Sequence, residues 1–278
     1  MTRGITSTAL ALMVTATVLA TGASADVASF QARQADPFIV AQNFLGTETT
    51  YMRSGQSNNN FGAATSVVAG APTLTNVFRP LFRFSIEDSF NALLAANPGM
   101  QVVVTSAVMT LNVDGRSGSA SQTAAMYAMP AADGNWVEGS GMYNTQEGTA
   151  CWNYRAWSAT SPLAWSMGAG MGYGEATDVP DTFLDSNVIT ATGNQNFDVP
   201  AALAQTWLSS ATNYGVIVVN ENEYTAGDSF SFRTEDHSYG TPPKLDITYD
   251  LIPIPEPASM ALLALGGLTM IRHRRSAR

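Results

Sequence analysis

The stretch Ser106-Ala107-Val108-Met109-Thr110-Leu111-Asn112-Val113 decides the fold class. Ala107, Met109, Leu111 and Val113 hold every second position, with Val108, Thr110 and Asn112 between them. A period of two sends alternate side chains to opposite faces of an extended chain, so the segment reads as a half-buried β-strand. The same alternation recurs at Phe82, Phe84 and Ile86, at Phe230 and Phe232, and at Leu245, Ile247 and Tyr249. Residues 216–219 form an unbroken branched run, the pattern of a strand covered on both faces. Between these runs stand Ser57-Asn58-Asn59-Asn60-Phe61-Gly62, Asp114-Gly115-Arg116-Ser117-Gly118 and Tyr239-Gly240-Thr241-Pro242-Pro243, which carry the Gly, Asn and Pro of loops. Many short strands joined by such loops predict an all-β fold, a jelly-roll β-sandwich.

Two segments depart from that pattern. Glu87-Asp88-Ser89-Phe90-Asn91-Ala92-Leu93-Leu94-Ala95-Ala96 places Phe90, Leu93 and Leu94 at helical spacing and ends before Asn97-Pro98-Gly99, a stop signal. Residues 200–209 open with Pro200, suited to a first helical turn, and bring Leu203, Trp207 and Leu208 to one side. Both are expected to be short helices capping the ends of the sandwich.

Composition narrows the function. The formal net charge is −9, and much of the basic charge lies at the extreme C-terminus, so the body is more acidic still. Nucleic acid is excluded as a partner, because its binding rests on clustered Lys and Arg neutralising phosphates. Cys151 is the only cysteine, so no intramolecular disulfide is available; flanked by Thr149, Ala150 and Trp152, it reads as a small buried thiol on a strand. His237 is the one histidine outside the C-terminal tail, which rules out a histidine-rich metal site and leaves a Ser-His-Asp triad without a nucleophile elbow. There is no P-loop and no dinucleotide fingerprint. A non-catalytic protein is expected.

Both termini carry targeting features. Arg3, the apolar stretch 9–20 and the small-x-small triplet Ala23-Ser24-Ala25 read as a secretory signal peptide over residues 1–25, with the mature chain starting at Asp26. At the other end, Pro255-Glu256-Pro257 precedes an apolar run, 258–271, and the cluster Arg272, His273, Arg274 and Arg275. That run is shorter than the roughly twenty apolar residues of a permanent span. The arginines would stay on the cytoplasmic side, leaving the body outside. These parts, in this order, resemble the PEP-CTERM sorting signal of Gram-negative bacteria. The resemblance implies a hydrophobic helix over residues 253–278 that meets the membrane, with Pro255, Glu256, Pro257, Arg272, Arg274 and Arg275 read by exosortase. It also implies export across the inner membrane to the cell surface or extracellular matrix.

The body, 26–252, resembles the DNRLRE domain, related to family 96 of the carbohydrate-binding modules. The matching pieces run from Thr50-Tyr51-Met52-Arg53-Ser54-Gly55 and Asn60-Phe61-Gly62, through Leu81-Phe82-Arg83-Phe84 and Ser106-Ala107-Val108-Met109-Thr110-Leu111. They continue with Trp136-Val137-Glu138-Gly139, Cys151-Trp152-Asn153, Phe197-Asp198-Val199, Asn213-Tyr214-Gly215 and Pro242-Pro243-Lys244-Leu245. The resemblance implies polysaccharide as the partner, uronic acid polymers included. Sugar binding calls for aromatic faces, planar polar groups and arginines. The candidates are Tyr154, Arg155 and Trp157 together, Trp165 and Tyr173 in the Gly-rich insertion 156–194, and Arg53 and Arg233 pointing outward from strands; Arg53 and Arg83 read equally as structural ion-pair partners. Trp136, Trp152 and Trp207 read as core. Glu175, Asp178, Asp181 and Asp185 form one acidic stretch, and Glu221, Glu223 and Asp228 another, either able to offer the oxygens calcium takes; a solvated acidic loop is the simpler reading. The alternatives are a structural surface protein without glycan affinity and a polysaccharide lyase or hydrolase, whose paired carboxylates no spacing here selects.

Overall fold

The computed structural model describes residues 25–73, 75–173 and 179–254. The signal peptide, the hydrophobic C-terminal helix and Pro255, Glu256, Pro257, Arg272, Arg274 and Arg275 lie outside the described residues, as do Glu175 and Asp178. Among the described residues, no helix is long and apolar enough to cross a membrane.

The strands are β1 (Asp26–Gln31), β2 (Thr47–Arg53), β3 (Ser66–Thr73), β4 (Asn76–Phe84), β5 (Met100–Ser117), β6 (Gln122–Ala128), β7 (Tyr154–Ala156), β8 (Leu163–Ala164), β9 (Phe183–Ile189), β10 (Gly193–Val199), β11 (Val216–Asn220), β12 (Ser229–Arg233) and β13 (Lys244–Pro253). The helices are α1 (Glu87–Ala96) and α2 (Ala201–Thr206). The fold is all-β and sandwich-like: one antiparallel sheet runs β1-β13-β5-β12-β3-β4-β11-β6-β9, with β10 joined to β5 and β2 to β4, while β7 and β8 form a separate pair.

The sheet curls because β5 is long enough to serve two neighbours along one edge. Met100 to Thr110 pairs with β13, and Val113 to Ser117 pairs with β12. Register shifts in both ladders mark the bulges that bend it. β9 and β10 then meet at the seam through side chains, with Asn187 Nδ2 donating to the Asn196 carbonyl at 2.6 Å and the Asp198 amide to Asp185 Oδ2 at 2.8 Å.

Alternation places the core as expected. Ala107, Met109, Leu111 and Val113 of β5, Phe230 and Phe232 of β12, and Leu245, Ile247 and Tyr249 of β13 all enter the central cluster with Phe82 and Phe84. The run 216–219 is covered on both faces: Val216 and Val218 face the central core, whereas Ile217 and Val219 face a second cluster outside the sheet. That outer cluster contains Met52, Leu81, Trp136, Trp152, Trp165 and Met171. Its cover is irregular chain from 129 to 173, so a loop layer does here what a third sheet would do elsewhere. α1 matches its expected span, and α2 lies within the second helical segment.

Two local readings are corrected. Asp114-Gly115-Arg116-Ser117, expected as a turn, continues β5, because β12 pairs across it and the Asp114 carboxylate accepts from Ser66 Oγ and Ser231 Oγ, both at 2.5 Å. Cys151 is fully buried but lies in a loop, its amide bonded to the Tyr154 carbonyl at 2.8 Å.

Candidate functional site

The outer face of β4 carries a charge where its neighbours carry apolar groups. Val77 and Leu81 pack into the outer cluster, and Arg79 between them is 0 % exposed. Its guanidinium is fully engaged: Nε donates to Glu223 Oε2 at 3.1 Å, Nη2 donates to Glu223 Oε1, and Nη1 donates to the carbonyls of Gly170 and Met171 at 2.8 and 3.1 Å. Burying a charge is costly unless it is paired and hydrogen-bonded, and this one has both. The pairing joins β4, the turn after β11 and the end of the covering loop.

Aromatic rings stand around that pair. Tyr173 lies 5.4 Å from the Arg79 guanidinium, edge-on to Trp152 at 5.5 Å, and stacked on Tyr224 at 5.3 Å and 14°. Tyr127 of β6 is also close enough to feel the charges of Glu221, Arg79 and Glu223; burial first, and then Glu221, raises its hydroxyl pKa. Tyr127 in turn packs edge-on against Phe183 at 5.7 Å. The rings thus make a row of two pairs, Phe183 with Tyr127 and Tyr173 with Tyr224, each with one ring near Arg79. Its two ends, Phe183 and Tyr224, are each 52 % exposed. A cleft of about 340 Å³ lined by Met129, Ser166, Met167, Pro180 and Asp181 adjoins the Tyr127 end.

Of the seven expected glycan contacts, only Tyr173 joins this row. Trp165 is 3 % exposed, its indole Nε1 donating to the Cys151 carbonyl at 2.9 Å, so burial removes it from any ligand surface. Tyr154 and Arg155 are half-buried on the short β7, and Trp157 is half-buried just after it, held by backbone bonds to Thr149 and Gly148. Arg53 lies over the Phe78 ring at 5.2 Å and donates to Asn76 and Gln56 rather than pointing outward, because the ring and the two amides hold its stem against the sheet. Arg233 is half-buried, its Nε out of contact with solvent.

Asp181, Asp185, Glu223 and Asp228, the described members of the acidic stretches other than Glu221, each have a place of their own. Among the described residues, no group of three His, Cys, Asp or Glu could hold a metal ion. Asp185 caps backbone amides at the β9–β10 seam, Asp181 lines the cleft, and Glu223 neutralises Arg79. Asp228 accepts from the Ser119 amide at 2.6 Å, Ser119 Oγ at 2.7 Å and Asn222 Nδ2 at 3.1 Å, bonds that hold its carboxyl below the usual range. His237 Nδ1 accepts from the Tyr239 amide at 3.2 Å.

A second charged assembly lies at β2, in which Arg83 is an ion-pair partner as its residue type allowed, with partners that the sequence reading did not identify. Arg83 pairs with Glu48, donates to the carbonyls of Gly134 and Trp136 at 3.1 Å each, and lies 4.5 Å over the Trp136 ring. Beside it the Thr49 amide donates to Glu138 Oε1 at 2.8 Å and Glu235 Oε1 at 3.1 Å. Burial first, and then Glu235, pushes the Glu138 carboxyl up to about 10, and burial raises Glu235 as well, so the two carboxyls titrate together. An unpaired amide on an edge strand is thereby covered by acid side chains. Nothing in the spacing of Glu48, Glu138 and Glu235 announces that meeting.

Comparison with known proteins bears on the C-terminus. Residues 253–275 match the model of the PEP-CTERM protein-sorting motif. The motif marks an exported protein recognised by exosortase and sorted to the cell envelope or surface of a Gram-negative bacterium. No curated protein matches the chain.

Proposed function

We propose that this is an exported, non-catalytic surface or matrix protein that binds polysaccharide along the aromatic row and is delivered to its site by its C-terminal motif. The observation that carries the reading is the stacked Tyr173–Tyr224 pair, with Tyr224 half exposed. Such rings offer flat apolar faces to pyranose rings. Arg79 beneath them is occupied by Glu223, and Asp181 and Glu221 flank the row, so its charge favours a neutral glycan over a polyuronate. The Arg79–Glu223 link fixes the platform in advance of binding, which lowers the ordering cost of recognition. The DNRLRE resemblance supports the same class of ligand.

The test is affinity electrophoresis of the full chain, in a detergent without sugar headgroups, through gels containing xylan, β-glucan, alginate or pectin. The expected result is retardation by a neutral polymer, unchanged by chelator and lost in Tyr224→Ala. Unchanged mobility in every gel would overturn the reading in favour of a structural surface protein, and new reducing or unsaturated chain ends would reveal an enzyme.

A further inference from the structure

A separate cleft of about 320 Å³ opens beside the Arg83–Glu48 pair, lined by Glu48, Arg83, Ser85, Trp136, Ser210 and Asn213 among others. Its walls are fixed from several directions. Trp136 Nε1 donates to the Tyr214 carbonyl at 2.9 Å while Arg83 covers one face of its ring. A Cβ on Gly134 would come within 2.0 Å of the Tyr214 ring, so only glycine lets this part of the wall pack against Tyr214. Asn213 Nδ2 donates to the Phe84 carbonyl at 2.6 Å, which fixes the orientation of the amide.

With that orientation set, Asn213 Oδ1 is left buried without a hydrogen-bond donor from the protein, in a residue only 4 % exposed. An orphaned buried acceptor costs about 1–3 kcal/mol, a cost a ligand donor would relieve. The other polar groups limit which donor. Glu48 Oε1 is filled by Arg83 Nε and by Ser85 Oγ at 3.0 Å, and Arg83 spends its donors on Glu48, Gly134 and Trp136. The charges cancel inside the wall, so a net-charged ligand would be desolvated with no counter-charge to meet it. Arg83 Nη2 fills Glu48 Oε2 as well, so Asn213 Oδ1 is the acceptor left, and a hydroxyl can donate to it without bringing a charge into the wall.

We propose that this cleft is a binding site for one neutral, hydroxyl-rich unit, a free sugar or polyol or the end residue of a glycan chain. It is separate from the aromatic row, and its test reads independently of that row. The full chain is titrated with glucose, mannose, sorbitol and glucuronate, and then with cello-oligosaccharides, using saturation-transfer NMR. Saturable binding of a neutral probe is expected, weakened roughly tenfold in Asn213→Ala by loss of a buried hydrogen bond. Should Asn213→Ala fail to fold, Val137→Trp, which changes a half-exposed residue at the cleft wall, is expected to abolish binding while leaving gel retardation intact. Oligosaccharides binding more tightly than monosaccharides would identify a chain end; equal affinity would identify a free sugar or polyol. Absence of saturable binding by every probe, tighter binding of glucuronate, or full binding in Val137→Trp would each overturn the assignment.

Discussion

Arg79→Met tests the structural and functional arguments together. The substitution keeps an apolar stem on β4 but leaves Glu223, 2 % exposed, beside an apolar side chain. It also strips the carbonyls of Gly170 and Met171 of their donor. Removing one partner of a buried pair costs about 3–5 kcal/mol, because the remaining charge is desolvated without compensation. For a chain of this size each kcal/mol shifts Tm by about 2–4 °C, so Tm should fall by roughly 6–20 °C. Urea unfolding at neutral pH, followed by tryptophan fluorescence, measures the loss directly. Glu223→Gln should cost at least as much, since it strands the permanently charged Arg79 without a counter-charge, and Arg79→Met with Glu223→Leu should recover part of the loss by removing both charges. The same variant should lose gel retardation at temperatures where it remains folded, because Tyr173 no longer has its base. A loss below about 1 kcal/mol would refute the reasoning, since exposed pairs lie in that range and buried ones do not.

The raised Glu138 carboxyl predicts a pH dependence. Above the ordinary value of 4.5 the unfolded carboxyl is ionised while the folded one stays protonated to about 10, so its contribution is complete below 4.5 and is lost as pH rises between those limits. The slope is at most about 1.4 kcal/mol per pH unit. Glu138→Gln should flatten the stability profile from pH 5 to 9; denaturant midpoints with identical slopes in both proteins would contradict it. Cys151, buried with its thiol pKa raised by burial, should resist iodoacetamide in the native protein and react fully in urea. Gly70 has φ of +107°, and a Cβ there would lie 2.4 Å from the Asp228 carbonyl oxygen, so Gly70→Ala should destabilise by at least about 1–3 kcal/mol in thermal melts.

What the sequence made legible follows from local periodicity. The alternation around Leu111, Phe232 and Ile247, the two-sided run at 216–219 and the span of α1 each depend only on neighbours a few residues away, and each is found where expected. The turn expected at Asp114 failed because a partner strand can extend a Gly-containing segment when its side chains are satisfied across the ladder. The outward aim of Arg53 failed for a related reason: alternation gives the face of a strand, not what lies on that face.

The candidate site was less legible. Tyr173 reads as a candidate aromatic from its place in the insertion, but Tyr127, Phe183 and Tyr224 come from three other segments, and it is the pairing of β6 with β9 that sets Tyr127 beside Phe183. Trp165 was indistinguishable in sequence from a surface ring, because an irregular loop layer has no period to say which residues it buries. The sequence by itself determined the strand-rich character of the body, the acidic balance and the sorting motif at the C-terminus, since these are written in composition and short spacings. Tertiary structure alone decided that Arg79 is buried on Glu223, that Glu138 and Glu235 meet at the Thr49 amide of β2, and that two ring pairs stand near Arg79. Those contacts join residues far apart in the chain, and their energies depend on burial and on distance in space.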